Sequence, residues 1–136
     1  MKTISILKDN EIQKRINNSS YFDVESFNQC ARRFVQALKE NRIIATITRV
    51  SSSGMSRNIK IVEMHKGTSG KYYILNFQTF FKVLGYKTTD NGEIVISGCG
   101  MDVIFGTIYN VLGSLEYNGI LTHKERENLK AYYNLI

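Results

Sequence analysis

Ile43-Ile-Ala-Thr-Ile-Thr-Arg-Val-Ser-Ser-Ser-Gly-Met-Ser-Arg-Asn-Ile-Lys-Ile-Val-Glu-Met64 is the stretch on which the fold turns. Ile43 to Val50 and Asn58 to Met64 are rich in β-branched residues, which suit a pleated surface. The residues between them are small hydroxyls, one glycine, a methionine and an arginine. The stretch therefore predicts a β-hairpin whose loop, Ser51 to Arg57, projects from one end of a sheet.

Downstream, Gly67-Thr-Ser-Gly70 marks a second turn and Lys71 to Leu75 a third strand. Phe77, Phe80, Phe81 and Leu84 form a short helical stripe, with Gly85 where a left-handed C-terminal cap falls. Asp90-Asn-Gly92 predicts a hairpin turn of type I′ joining Tyr86–Thr89 to Glu93–Ser97, since Asn-Gly accepts positive φ. Met101, Ile104, Phe105, Ile108, Val111, Leu112 and Leu115 recur at helical spacing, and Gly119 ends the pattern. Thr122-His-Lys-Glu125 is a capping box that opens a last helix, expected to reach Tyr133.

Upstream, Asp23 is placed to cap a helix. Phe27, Cys30, Ala31, Phe34, Ala37 and Leu38 fall on one face of it, and Arg32, Arg33, Gln36 and Lys39 on the other. Asn41 is the expected stop. Residues 1–22 read either as a short helix or as an extended arm. From there on, the order α-β-β-β-α-β-β-α-α implies one domain over residues 1–136. Its expected class is α+β, with a mainly antiparallel sheet of four to five strands and helices packed on one face.

A chain of 136 residues can bury a core of its own. No apolar run approaches the ~20 residues that span a bilayer, and the N-terminal apolar stretch is too short for a secretory signal. The expected location is the cytoplasm, where Cys30 and Cys99 would be thiols. No metal-ligand spacing and no cofactor fingerprint occurs. Eighteen Lys and Arg against twelve Asp and Glu leave a formal charge of +6. Such a charge attracts nucleic acid, phosphorylated ligands or an acidic protein face, and it also serves solubility alone.

Two loops carry the candidate chemistry. Ser51, Ser52, Ser53 and Ser56 supply hydroxyls, Gly54 supplies conformational freedom, and Arg57 supplies a forked donor suited to phosphate or carboxylate. Arg49 precedes them. Gly98-Cys-Gly-Met-Asp102 follows a strand and opens a helix, where unpaired N–H groups and the helix dipole favour an anion. Gly98 and Gly100 allow close approach of a ligand, or they only turn the chain. Asp102 either shares in the site or fills the helix start itself. Arg57 either faces a ligand or pairs with Asp102 and ties the loops together. Arg32, Arg33 and Lys39 extend the footprint if the ligand is a nucleic-acid backbone. Cys99 at a helix start is a candidate nucleophile. It lacks a sequence-adjacent base, since the two histidines are His65 and His123.

Arg49-Val-Ser-Ser-Ser-Gly-Met-Ser-Arg57-Asn-Ile, Val83-Leu-Gly-Tyr86, Gly98-Cys-Gly-Met-Asp102 and Tyr109-Asn-Val-Leu112 together resemble a group of small uncharacterised proteins encoded by bacteriophages and plasmids. The resemblance covers residues 43–115. It departs at Val103-Ile104, where methionine-glycine is the familiar pair. It implies a mobile-element origin and no particular reaction. From that company the leading expectation is a binding protein that interferes with host defence or nucleic-acid-targeting machinery, in the manner of anti-CRISPR inhibitors. The alternatives are direct binding of nucleic acid or a nucleotide phosphate, and a small enzyme using Cys99. Expected partners are a host defence or nucleic-acid-processing protein, or nucleic acid, with no membrane. Eight tyrosines and a free sheet edge also make a homodimer reasonable.

Overall fold

The computed structural model describes residues 7–20, 22–98 and 103–132. Ten elements follow in the order α1 (Asn10–Asn17), α2 (Val24–Lys39), β1 (Ile43–Val50), β2 (Ser56–Lys66), β3 (Tyr72–Asn76), α3 (Gln78–Leu84), β4 (Lys87–Thr88), β5 (Ile94–Ser97), α4 (Val103–Tyr117) and α5 (His123–Tyr132). The fold is α+β, as its pattern predicts, and all four strand pairings are antiparallel.

β2 is the spine of the sheet. β1 lies along one side of it. On the other side β5 pairs with its first residues, Ser56–Ile59, and β3 with its last, Val62–Lys66. β4 closes the far border beside β5. On the face turned to the helices, Ile59, Ile61 and Ile94 join Phe27, Phe34, Phe77, Phe80 and Phe81 in one core. Phe34 meets Phe77 edge-on at 5.2 Å and Phe81 at 5.8 Å, geometries that add to plain burial. Val62 is also buried but lies outside that core, since its side chain points to the opposite face.

Local sequence sets most element ends. Asp23 accepts from the N–H of Ser26 and starts α2, and Asn41 takes φ 58° just past its end. Gly85 takes φ 107° after α3. Thr122 Oγ1 accepts from Glu125 N, and the Glu125 carboxylate accepts from Thr122 N, so the capping box forms. In the N-terminal segment the short-helix reading holds for α1. Asp9 caps it by accepting from Glu11 N and Ile12 N, and Ile12 and Ile16 enter the core.

Three local expectations need correction. The turn at Asp90–Gly92 is not type I′, because only Gly92 has positive φ (80°). Gly92 N bonds Thr89 O and Thr89 N bonds Glu93 O, the pattern of a type I turn closed by a left-handed glycine. Phe105 does not share the buried stripe of α4 and is 48% exposed. Thr107 takes an inward place instead, its hydroxyl satisfied by Val103 O at 2.8 Å. Arg33 is only partly exposed on α2. Its guanidinium stacks over Phe77 at 4.7 Å and reaches under the sheet. Among the described residues, no helix is long and apolar enough to cross a membrane.

Candidate functional site

The hairpin tip is tied largely to itself. Ser51 N bonds Ser56 O, and Gly54 N bonds Ser51 O. The Ser51 hydroxyl accepts from Ser56 N at 3.1 Å and lies 3.3 Å from the Ser53 hydroxyl. Gly54 holds φ +75° with open space where a Cβ would stand, so conformation and not crowding calls for glycine there. Ser52 is exposed, and Met55 is the most exposed apolar side chain of the tip at 66%.

Arg57 is a strut between the two candidate loops. Its Nη1 donates to Gly54 O at 3.3 Å and to Gly98 O at 2.5 Å, and Gly98 N returns a bond to Met55 O at 2.9 Å. Gly98, the first residue of the second loop, therefore lies beside the hairpin tip. Gly98 sits at φ +153° against Val103, a backbone angle few side-chain-bearing residues adopt. Cys99, Gly100 and Asp102 lie outside the described residues, and with them the expected Arg57–Asp102 pair.

Arg49 and Arg57 do not share a pocket. Arg49 opposes Asn58 and Val50 opposes Arg57 in the β1–β2 register, so the two arginines leave opposite faces of the sheet. Arg49 stands on the face without helices, where Lys60 is also exposed. On that face the Glu93 carboxyl is held below its ordinary value, first by the Thr48 hydroxyl and then by the Asn58 amide.

The α2 footprint divides. Arg32 is exposed beside a shallow cavity of about 410 Å³ with Lys8, Asn28 and Asn118. Lys39 pairs with Glu125 at 3.6 Å across to α5. Arg33 is committed to Glu63, a residue absent from the motif reading. The Glu63 side chain is fully buried, with Arg33 Nε 3.0 Å from Oε1 and off-line for a hydrogen bond, Arg42 bonded to Oε2, and His65 Nδ1 at 3.2 Å from Oε2. The available signal was the strand alternation itself, which puts Glu63 on the same inward face as Ile59 and Ile61.

Neither histidine stands beside Gly98, the residue before Cys99. His65 is nine residues from Ser56 along β2, a separation of roughly 30 Å in extended chain, and packs on Tyr73. His123 bonds Glu116 near the far end of α4. Burial pushes the Cys30 thiol up. Among the described residues, no group of His, Cys, Asp and Glu could hold a metal ion. Comparison with known proteins gives no significant match to any family model, curated protein or solved structure.

Proposed function

We propose that the chain is a non-catalytic binding protein of a mobile element, and that it interferes with host nucleic-acid-targeting or defence machinery by docking a protein at the hairpin tip. The observation that carries the docking reading is the contrast within the tip. The Ser51 and Ser53 hydroxyls and Arg57 bond to the protein's own backbone, while Met55 at 66% and Val50 at 49% exposure are offered to the outside. An adaptable methionine on a rigid, hydrogen-bonded loop is a fitting anchor for a protein surface. The mobile-element part rests on the resemblance of the two motifs.

The test is phage plating on bacteria that carry a restriction or an RNA-guided nuclease system and express this chain. Restored plating that Met55→Glu abolishes, with the variant's circular dichroism unchanged, supports the reading. Plating that stays restricted with every system tried rejects it.

A second reading, direct nucleic-acid binding, is favoured by the exposure of Arg49 and Lys60 together on the helix-free face. Fluorescence anisotropy with labelled DNA and RNA at low and physiological salt separates the two. Salt-sensitive binding lowered by Arg49→Ala would put nucleic acid in place of a protein partner.

A further inference from the structure

Among the described residues the sheet has three free borders, and they differ in how well they are guarded. β4 presents two residues, one of them Lys87, and β3 presents five. β1 presents eight and pairs with β2 alone. Monomeric proteins blunt such edges by shortness, proline, lysine or a bulge. From Ile43 to Ile47 β1 has none of these, and its one irregularity is the bulge at Thr48. Six of its eight residues are β-branched and none is acidic. Ile44 and Ile47 are 39% and 37% exposed.

The backbone fixes what this edge can pair with. Met64 N donates to Arg42 O at 2.8 Å, one step before the register Ile43↔Glu63 and Ile44↔Val62. Hydrogen-bonded and non-bonded pairs alternate along an antiparallel ladder. Ile44 and Thr46 therefore turn their N–H and C=O groups toward β2, and Ile43, Ala45 and Ile47 turn theirs outward.

We propose that β1 pairs antiparallel with β1 of a second copy of this chain, about a two-fold axis at Ala45, joining two five-stranded sheets into one of ten. In that register Ala45 opposes Ala45 of the second copy, and Ile43 opposes Ile47 on both sides of the axis. Every outward residue then meets another outward residue, and each opposed pair exchanges both its backbone bonds. The side chains of Ile43, Ala45 and Ile47 leave the same face of the sheet, so isoleucine meets isoleucine with the small residue at the axis. The strand's single charge, Arg49, falls beyond the end of the opposing strand and does not meet its copy. This self-complementarity is why the occupant is a second copy, held isologously, and not a foreign strand. The proposal is independent of the docking role of the tip.

Sedimentation velocity across the micromolar range tests it. The expected result is a dimer that dissociates on dilution and persists at high salt, since no ion pair holds it. Ala45→Pro removes only an outward N–H and leaves the β2 ladder intact, so it should abolish the dimer. Ile47→Lys, on an exposed side chain, should do the same and decides the matter if the proline variant does not fold. A chain that is monomeric at every concentration overturns the proposal. So does a dimer that survives in a folded variant, or an assembly larger than two.

Discussion

β2 carries a polar cluster near each end of the face it turns to the helices, and the two are built differently. At the first, Arg57 is anchored by carbonyl oxygens of two neighbouring loops. At the second, the Glu63 carboxylate is buried among side chains that come from α2, from the entry to β1 and from β2 itself. Among the described residues, the first joins backbone to backbone through one arginine. The second joins separate elements through opposite charges. Removing a member should therefore be costlier at the second, because a buried charge that loses its counter-charge has only partial access to water.

Glu63→Ala should give the largest effect. It leaves Arg33 and Arg42 facing the cavity of the lost carboxylate. We expect a loss of about 3 kcal/mol, the lower end for a broken buried pair, because the two arginines keep 36% and 24% exposure and can partly rehydrate. Chemical denaturation measures it. A variant within about 0.5 kcal/mol of the parent would mean that the cluster holds nothing together.

Arg57→Ala should cost less, about 1.5 kcal/mol, the low end for hydrogen bonds to a charged group, since the carbonyls it abandons lie near the surface. The sharper readout is local. Amide exchange at Gly98, whose N–H bonds Met55 O, should quicken while exchange in α2 stays slow. Arg57→Lys keeps the charge but not the planar guanidinium that sets Nη1 between the two carbonyls, and should restore little. Equal quickening throughout the chain would show that the strut serves the whole fold and not the junction of the loops.

The same difference explains what could be read in advance. Gly85, Asn41 and the Thr122–Glu125 box act within a few residues of themselves, so their roles show in the order of residues. The strands at Ile43–Val50 and beyond the tip follow from composition alone. The proximity of the tip to the strand that ends at Ser97 does not, because it rests on Ser56 pairing with Ser97, far along the chain. Strand alternation turns Glu63 inward, but its arginine partners lie 30 and 21 positions earlier in the chain, so the cluster does not show in the order of residues. The role of Arg33 is hidden for the same reason. Helical spacing assigns it outward, but its long side chain reaches back over Phe77 to the buried charge. Asn91 misled in the opposite way. Asn-Gly permits a type I′ turn without requiring one, and the hydrogen bonds of Thr89 select the other geometry.

Glu93 gives the smallest expected effect and joins the two halves of the comparison. It is a carboxylate, as at Glu63, but the groups that favour its charge most are neutral, the Thr48 hydroxyl and the Asn58 amide, and its Oε1 accepts from Asn58 Nδ2 at 3.1 Å and from Thr89 Oγ1 at 3.3 Å. These donors favour the charged form, so its folded value lies below the ordinary 4.5. A carboxyl lowered in this way stabilises the fold above its unfolded value, and that contribution is lost as pH falls from 4.5 toward the folded value. Glu93→Gln should therefore be slightly less stable than the parent at neutral pH, and the gap should close as the pH drops through that window. Gln keeps an oxygen for Thr48 and Asn58, so what the gap measures is the charge alone. A gap that stays constant from neutral to acid would mean that the donors hold the oxygen and not its charge. Neutral donors would then fix geometry on this sheet, and only the arginines around Glu63 would stabilise a carboxylate.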